Sequence, residues 1–271
     1  MKTVVITGST RGLGYELARQ FLNYKCQVVI HGKDPEKVEE CCNKLRKEYP
    51  QSFLCGYACD VKNTESLKEL WNYAVERFCV VDIWINNAGI NQPDKYLWEL
   101  KPREIDQMTE IDLRSTIYGS QIAVNGMKAQ GSGAIYNVEG IGNDDVFGSK
   151  FSLYGTTTKA ITCFSNSLTK EMKEKETEII VGKLAPGVIL SDFFNNRLGK
   201  RCEVEPSTST QRTYNIYGDY PDTIAKYLVF EMLTNTRNGV RINWLSAGRA
   251  IRKFLFSKIR RRDLFNQLVE N

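Results

Sequence analysis

Within its first two dozen residues the chain runs from an apolar stretch, Val4-Val5-Ile6, into Thr7-Gly8-Ser9-Thr10-Arg11-Gly12-Leu13-Gly14. Leu13, Leu17 and Phe21 then recur every four residues, with Ala18 and Leu22 beside them, which is the spacing of an amphipathic helix. A strand, a glycine-rich turn and a helix in that order restrict the fold more than anything else in the chain. Glycines at 8, 12 and 14 remove the Cβ atoms that would hold a ligand away from the backbone. The positive end of the helix dipole then attracts an anion such as a pyrophosphate. A plain glycine turn is the alternative, but the strand before it and the helix after it favour the anion site. The spacing is Gly-x-x-x-Gly-x-Gly rather than the commoner Gly-x-Gly-x-x-Gly.

The rest of the chain repeats the alternation. Strands are predicted at Thr3–Thr7, Gln27–His31, Phe53–Ala58, Val81–Asn86, Gly133–Val138, Ile179–Ala185 and near Gly239–Asn243. Amphipathic stretches lie between them, among them Pro35–Tyr49, Thr64–Arg77, Glu110–Met127 and Lys159–Lys173. This pattern predicts an α/β fold: a Rossmann-type, doubly wound parallel sheet of about seven strands with helices on both faces. With no repeat or linker, residues 1–271 read as a single domain. The least regular stretch, 197–222, is rich in Ser, Thr, Asn and Tyr. It follows the sixth strand, where a substrate lid would sit, or else it is a solvated loop.

Composition removes other classes. A net charge of +5 is too small and too dispersed to argue for nucleic acid. No apolar run approaches the ~20 residues of a membrane span. The first strand begins close to Met1, leaving no room for a signal peptide. Eight cysteines without a Cys-x-x-Cys pair, and a single histidine, His31, argue against zinc and for reduced thiols in the cytoplasm.

Further motifs stand at strand ends: Asp60-Val61, Asn86-Asn87-Ala88-Gly89, Tyr154 at the mouth of a helix, and Pro186-Gly187-Val188-Ile189-Leu190-Ser191. With Thr7–Gly14 they make the chain resemble the short-chain dehydrogenase/reductase superfamily along nearly its whole length. The stretch Asn137-Val138-Glu139-Gly140-Ile141-Gly142 leading to Tyr154-Gly155 looks closest to the chlorophyll b reductase branch, which also has Gly where most relatives carry a catalytic Ser. The resemblance implies a nicotinamide dinucleotide held by Thr7, Gly8, Ser9, Arg11, Gly12, Leu13, Gly14, Lys33, Asp60, Val61, Asn86, Ala88, Gly89, Tyr154, Lys159, Pro186, Gly187 and Ile189. It also implies a small carbonyl or alcohol substrate. Assembly as a homodimer or homotetramer through Glu110–Met127 and Lys159–Lys173 is expected too, with Ile161, Phe164 and Leu168 either in that contact or in the domain's own core.

An acidic residue ending the second strand would bond a free ribose 2′-hydroxyl and repel a 2′-phosphate. Here that position is Gly32, followed by Lys33, and Arg11 adds a second cation. The expectation is NADP(H) in preference to NAD(H). Asp34 is the one opposing residue, and His31 reads as a packing or adenine-edge residue.

Carbonyl reduction needs a proton donor beside the oxygen. In the family a Tyr serves, its pKa lowered from about 10 by a Lys four residues on, with a Ser and an Asn assisting. Tyr154 fits that place. Four residues on stands Thr158; the Lys is one place later, at Lys159, while Ser167-Leu168 keeps its register. One helical step is about 100°, so Lys159 must reach around on its long stem, or the first turn must be irregular. Gly140 holds the Ser position and Asp112 the Asn position, with Ser149, Ser152 and Asn143 as alternative donors to the oxygen. Tyr154 and Lys159 are therefore the catalytic candidates, and no metal site is expected. The competing expectation is a cofactor-binding redox sensor with little turnover.

The basic tail, 249–271, carries apolar residues at 251, 254, 255 and 259. A terminal helix docked by that apolar stripe, with its basic face in water, is favoured over contact with an anionic membrane.

Overall fold

A computed structural model describes residues 1–50, 53–140, 149–190, 208–257 and 262. Seven strands form one parallel sheet in the order β3-β2-β1-β4-β5-β6-β7. They are β1 (Thr3–Ile6), β2 (Gln27–Gly32), β3 (Leu54–Ala58), β4 (Ile83–Asn86), β5 (Ser132–Val138), β6 (Glu178–Ala185) and β7 (Arg241–Asn243). The order reverses between β1 and β4, and the ends of those two strands border the crevice where such sheets bind ligands. Register is fixed by facing apolar residues, as in Val5 beside Val29 on one side and Trp84 on the other.

Helices cover both faces. On one lie α1 (Gly12–Asn23) and α2 (Pro35–Glu48), around Leu17, Phe21, Val28, Ile30 and Leu45. On the other lie α3 (Thr64–Phe78), α4 (Pro102–Met108), α5 (Ser115–Gln130) and α6 (Ser152–Glu174). There Trp71, Trp84, Ile135, Leu168 and Val181 form the core. Between α4 and α5 the turn Thr109–Arg114 is π-helical, so the stretch expected as one helix from Glu110 is wound around an extra residue. After β6 come α7 (Thr208–Tyr217), α8 (Pro221–Thr234), which packs with α1, and α9 (Ala247–Ser257).

Three expectations change. The helix expected from Lys159 begins at Ser152, because the N–H groups of Leu153 and Tyr154 both donate to Gln92 Oε1, at 2.9 and 3.1 Å. Residues 208–217 and the chain from Pro221 are helical rather than irregular; residues 197–207 of the expected lid lie outside the described residues. The terminal helix α9 is not docked by its apolar stripe. Ile251, Phe254, Leu255 and Phe256 are all exposed, while Arg249 and Lys253 reach back to the body of the protein. Asn143, Ser191 and the tail beyond Ser257, apart from Arg262, lie outside the described residues.

Candidate active site

The glycine loop and the Asn-Asn-Ala-Gly turn are built against each other at the carboxyl ends of β1 and β4. Thr7 Oγ1 accepts from the N–H groups of Asn87 and Ala88 at 2.9 and 3.0 Å. Asn87 Nδ2 donates to the carbonyls of Thr7 and Gly8 at 2.9 and 3.0 Å. Gly8 has φ +63°, and a Cβ there would come 2.9 Å from Ala88 Cα, so only glycine permits this approach. Gly12 is also left-handed, at φ +57°. Ser9 is fully buried, donating to Ile6 O at 2.8 Å and accepting from His31 N–H at 2.9 Å. Leu13 and Val61 are buried apolar supports, while Gly89 stands exposed at the mouth.

The N-terminus of α1 fits an anion. Asp34 caps α2 and Asn63 caps α3 with their side chains, whereas Arg11, the N-cap of α1, makes no such bond. The first N–H groups of α1 are thus left for a ligand's oxygens, beside two left-handed glycines.

His31 belongs to this framework. Its Nδ1 accepts from Gly8 N–H at 3.0 Å, so Nε2 carries the proton and faces the Cys59 carbonyl at 3.1 Å. Burial pushes the imidazole down to about 4, which leaves it neutral. Its role is to tie the glycine loop to the end of β3.

At the second-strand end, a Cβ on Gly32 would come 2.7 Å from Thr10 Cγ2, so an acidic side chain there would have to displace the Thr10 side chain. Asp34, the opposing carboxylate noted from sequence, caps α2, its Oδ1 accepting from Glu36 N–H at 3.1 Å. Lys33 Nζ lies 3.0 Å from Asp60 Oδ2, with most of the Lys33 side chain in solvent. Burial pulls the Asp60 carboxyl up, but the Lys62 N–H and Lys33 outweigh it and hold it below its ordinary value. An exposed pair of this kind contributes only ~0–1 kcal/mol, so it holds Lys33 weakly.

Tyr154 lies at the carboxyl end of β5, in the first turn of α6. Its hydroxyl occupies the space that a side chain at Gly140 would take, and Thr158 Oγ1 stands 2.6 Å from the same point. The phenol thus sits against the Gly140 backbone. Thr158, four residues on, is buried at the position of the family's Lys. The first turn of α6 is regular, so Lys159 follows one step later on the exposed flank of the helix. Gly187, at φ +72°, turns the chain after Pro186, and Leu190 N–H donates to Asp219 O at 3.0 Å to hold that turn beside the sheet.

Several buried groups beneath the site were missed or misread from sequence. Asn86 does not face the crevice: its Nδ2 donates to Asn137 Oδ1 at 2.8 Å and Ser120 Oγ at 3.0 Å, which stitches β4 to β5 and α5. Glu139 is fully buried, accepting from Arg241 Nε at 2.7 Å and Thr162 Oγ1 at 2.6 Å, so one carboxylate joins β5, β7 and α6. An acidic residue at the end of an apolar strand was its only sequence signal. Asp112 lies inside the π turn, and its Oδ1 accepts from Ile90 N–H at 2.8 Å. Burial pushes its carboxyl up to about 8. Ile161 and Leu168 are buried in the chain's own core, which removes them from the expected subunit contact.

Comparison with known proteins agrees with this arrangement. The family of short chain dehydrogenases matches residues 2–201. "Chlorophyll(ide) b reductase NOL, chloroplastic" of Oryza sativa subsp. japonica is 31% identical over 231 residues, covering 83% of this chain and 65% of that protein. "Probable chlorophyll(ide) b reductase NYC1, chloroplastic" of the same plant is 29% identical, covering 98% of this chain and 54% of that protein. The chain thus spans between about half and two thirds of these relatives. Among solved structures, levodione reductase superposes with a TM-score of 0.81 at 21% identity, covering 92% of this chain and 98% of that one. A 3-ketoacyl-(acyl-carrier-protein) reductase from Brucella melitensis complexed with NADH gives 0.78 at 20% identity, covering 92% and 98%. At such identities the likeness is one of fold. The match over residues 2–201 and the identity to the plant reductases settle the kinship: the chain belongs to the short-chain dehydrogenase/reductase family of oxidoreductases, on its chlorophyll(ide) b reductase-like side.

Proposed function

We propose that the protein is an NADP(H)-dependent oxidoreductase that reduces a carbonyl, or oxidises the matching alcohol, with Tyr154 as the proton donor. The observation that carries this reading is the position of the Tyr154 hydroxyl against Gly140, at the carboxyl end of the sheet that also presents the uncapped N-terminus of α1. The glycine loop, Ala88-Gly89 and the Pro186–Ile189 turn would hold the dinucleotide, with Lys33 and Arg11 on its 2′-phosphate. When bound, the cofactor supplies or takes the hydride.

The chain's own residues do the rest. Gln92 fixes the backbone N–H groups of Leu153 and Tyr154, so the phenol is set by a buried anchor rather than by a loop. The Thr158 hydroxyl lies beside it, and Lys159 reaches from the next step of the helix on its four-carbon stem to favour the phenolate. Cytoplasmic residence and assembly as a homodimer or homotetramer belong to the same reading. Reduced cysteines support the first. The exposed Ile117 on α5 supports the second better than α6 does.

A second reading, a cofactor-binding redox sensor, is favoured by Thr158 at the expected Lys position. Following NADPH oxidation with a panel of aldehydes and ketones separates the two. The proposal expects carbonyl-dependent oxidation that falls steeply in Lys159→Ala and recovers in Thr158→Lys with Lys159→Ala. Tight NADPH binding with no oxidation by any carbonyl would favour the sensor.

A further inference from the structure

The helix α9 is amphipathic in the reverse sense to a docked surface helix. Arg249 and Lys253, four residues apart, share one face and face the body of the protein. The Arg249 guanidinium lies 3.9 Å from the Trp244 ring centre and 4.8 Å from that of Tyr227. Lys253 Nζ donates to the carbonyls of Tyr217 and Gly218, each at 3.2 Å, and to the Asp219 carboxylate. Ile251 and Leu255 stand two residues after each of these cations, about 200° around the helix. They are 61% and 55% exposed, and Phe254 and Phe256 flank them at 40% and 60%. No residue of the helix is buried. Arg249 and Lys253 anchor the helix inward, and Ile251 and Leu255 are turned to solvent.

Charge decides what covers that side. Residues 247–262 carry seven Lys and Arg and no Asp or Glu, so this short stretch more than accounts for the chain's net +5. The charge taken above as dispersed is concentrated here. A two-fold contact with a second copy would bring two such sets together, at a repulsive cost. An anionic lipid surface suits both features, since it takes apolar side chains at the headgroup boundary and attracts each nearby cation. No described helix is long and apolar enough to cross a membrane, which leaves a helix lying on it.

We propose that α9 is an interfacial helix that seats the protein on an anionic membrane surface through Ile251 and Leu255, with Arg252 on lipid phosphates. The helix leaves β7 at the carboxyl end of the sheet, the same end that carries Tyr154. The inference stands on α9 alone and does not depend on turnover.

The test is co-sedimentation of the full chain with phosphatidylcholine vesicles, with and without phosphatidylglycerol, at low and at physiological salt. Binding is expected to be about tenfold or more stronger on the anionic vesicles and to weaken with salt. The variant Ile251→Glu with Leu255→Glu should lose about tenfold or more of that binding while keeping its circular dichroism and NADPH affinity. Failure to bind anionic vesicles at low salt would overturn the proposal. So would binding that survives the double substitution, which would be adsorption by charge alone. A dimer in light scattering that the double variant splits would assign the face to a second copy instead.

Discussion

Replacing Asp112 with Asn should make the protein more stable, and by an amount set by pH. The carboxyl is buried in the π turn, with Ile90 N–H donating to its Oδ1 at 2.8 Å, and burial raises it to about 8 from an ordinary 3.8. The folded chain therefore holds this proton more tightly than the unfolded chain does. Between about pH 4 and pH 8 the folded state carries the extra proton, so this group's contribution falls as pH rises through that window. The slope is about 1.4 kcal/mol per pH unit, which gives up to about 4 kcal/mol between pH 4 and pH 7. Asn has the same shape, keeps an oxygen acceptor for Ile90 and does not titrate. Asp112→Asn should match the parent near pH 4 and exceed it by a few kcal/mol at pH 7 to 8. Urea unfolding of both proteins across that range measures the difference, in which other titrating groups cancel. A difference that does not change with pH would refute the buried, protonated carboxyl.

Restoring the family's Ser by Gly140→Ser should not rescue activity. The new Cβ overlaps the Tyr154 hydroxyl, so a loss of turnover and of about 1–3 kcal/mol in stability is expected from displacing the phenol, read by kinetics and urea unfolding. His31, held neutral down to about 4, contributes stability that is complete above its unfolded value of about 6.5 and is lost as pH falls toward 4. The loss amounts to about 3 kcal/mol, and His31→Gln should flatten that acid limb of the unfolding curve. Lys33→Asp should narrow or reverse the preference for NADPH over NADH. One charge-assisted phosphate contact contributes ~1.5–3 kcal/mol, and equal dissociation constants for the two cofactors in the parent would refute the assignment.

The sheet was legible because strands buried on both faces leave continuous apolar runs, and each of the seven expected runs became a strand within a few residues. The glycine loop was legible as a local pattern of Gly8, Gly12 and Gly14, although the neighbours that require Gly8 and Gly14, Ala88 and Asn87, come from a distant turn. What sequence did not show depends on contacts distant along the chain. The start of α6 at Ser152 is set by Gln92, some sixty residues earlier. Glu139 reads as a misplaced acid until Arg241, 102 residues away, is brought beside it. Asn86 was assigned to the cofactor on its position in a motif, yet its neighbours Trp84, Ser120 and Asn137 draw its amide beneath the crevice. The orientation of α9 was misjudged because an apolar stripe gives its position around the helix but not which side the body of the protein holds.

The central claim is that Tyr154 gives and takes a proton in a nicotinamide-dependent reaction. Its most direct test is the steady-state rate of carbonyl-dependent NADPH oxidation in the parent and in Tyr154→Phe, with NADPH affinity measured for both. The account predicts unchanged affinity and a rate lower by about 10²–10⁴-fold, since only the phenolic hydroxyl has been removed. Equal rates in the two proteins on a substrate the parent turns over would contradict it.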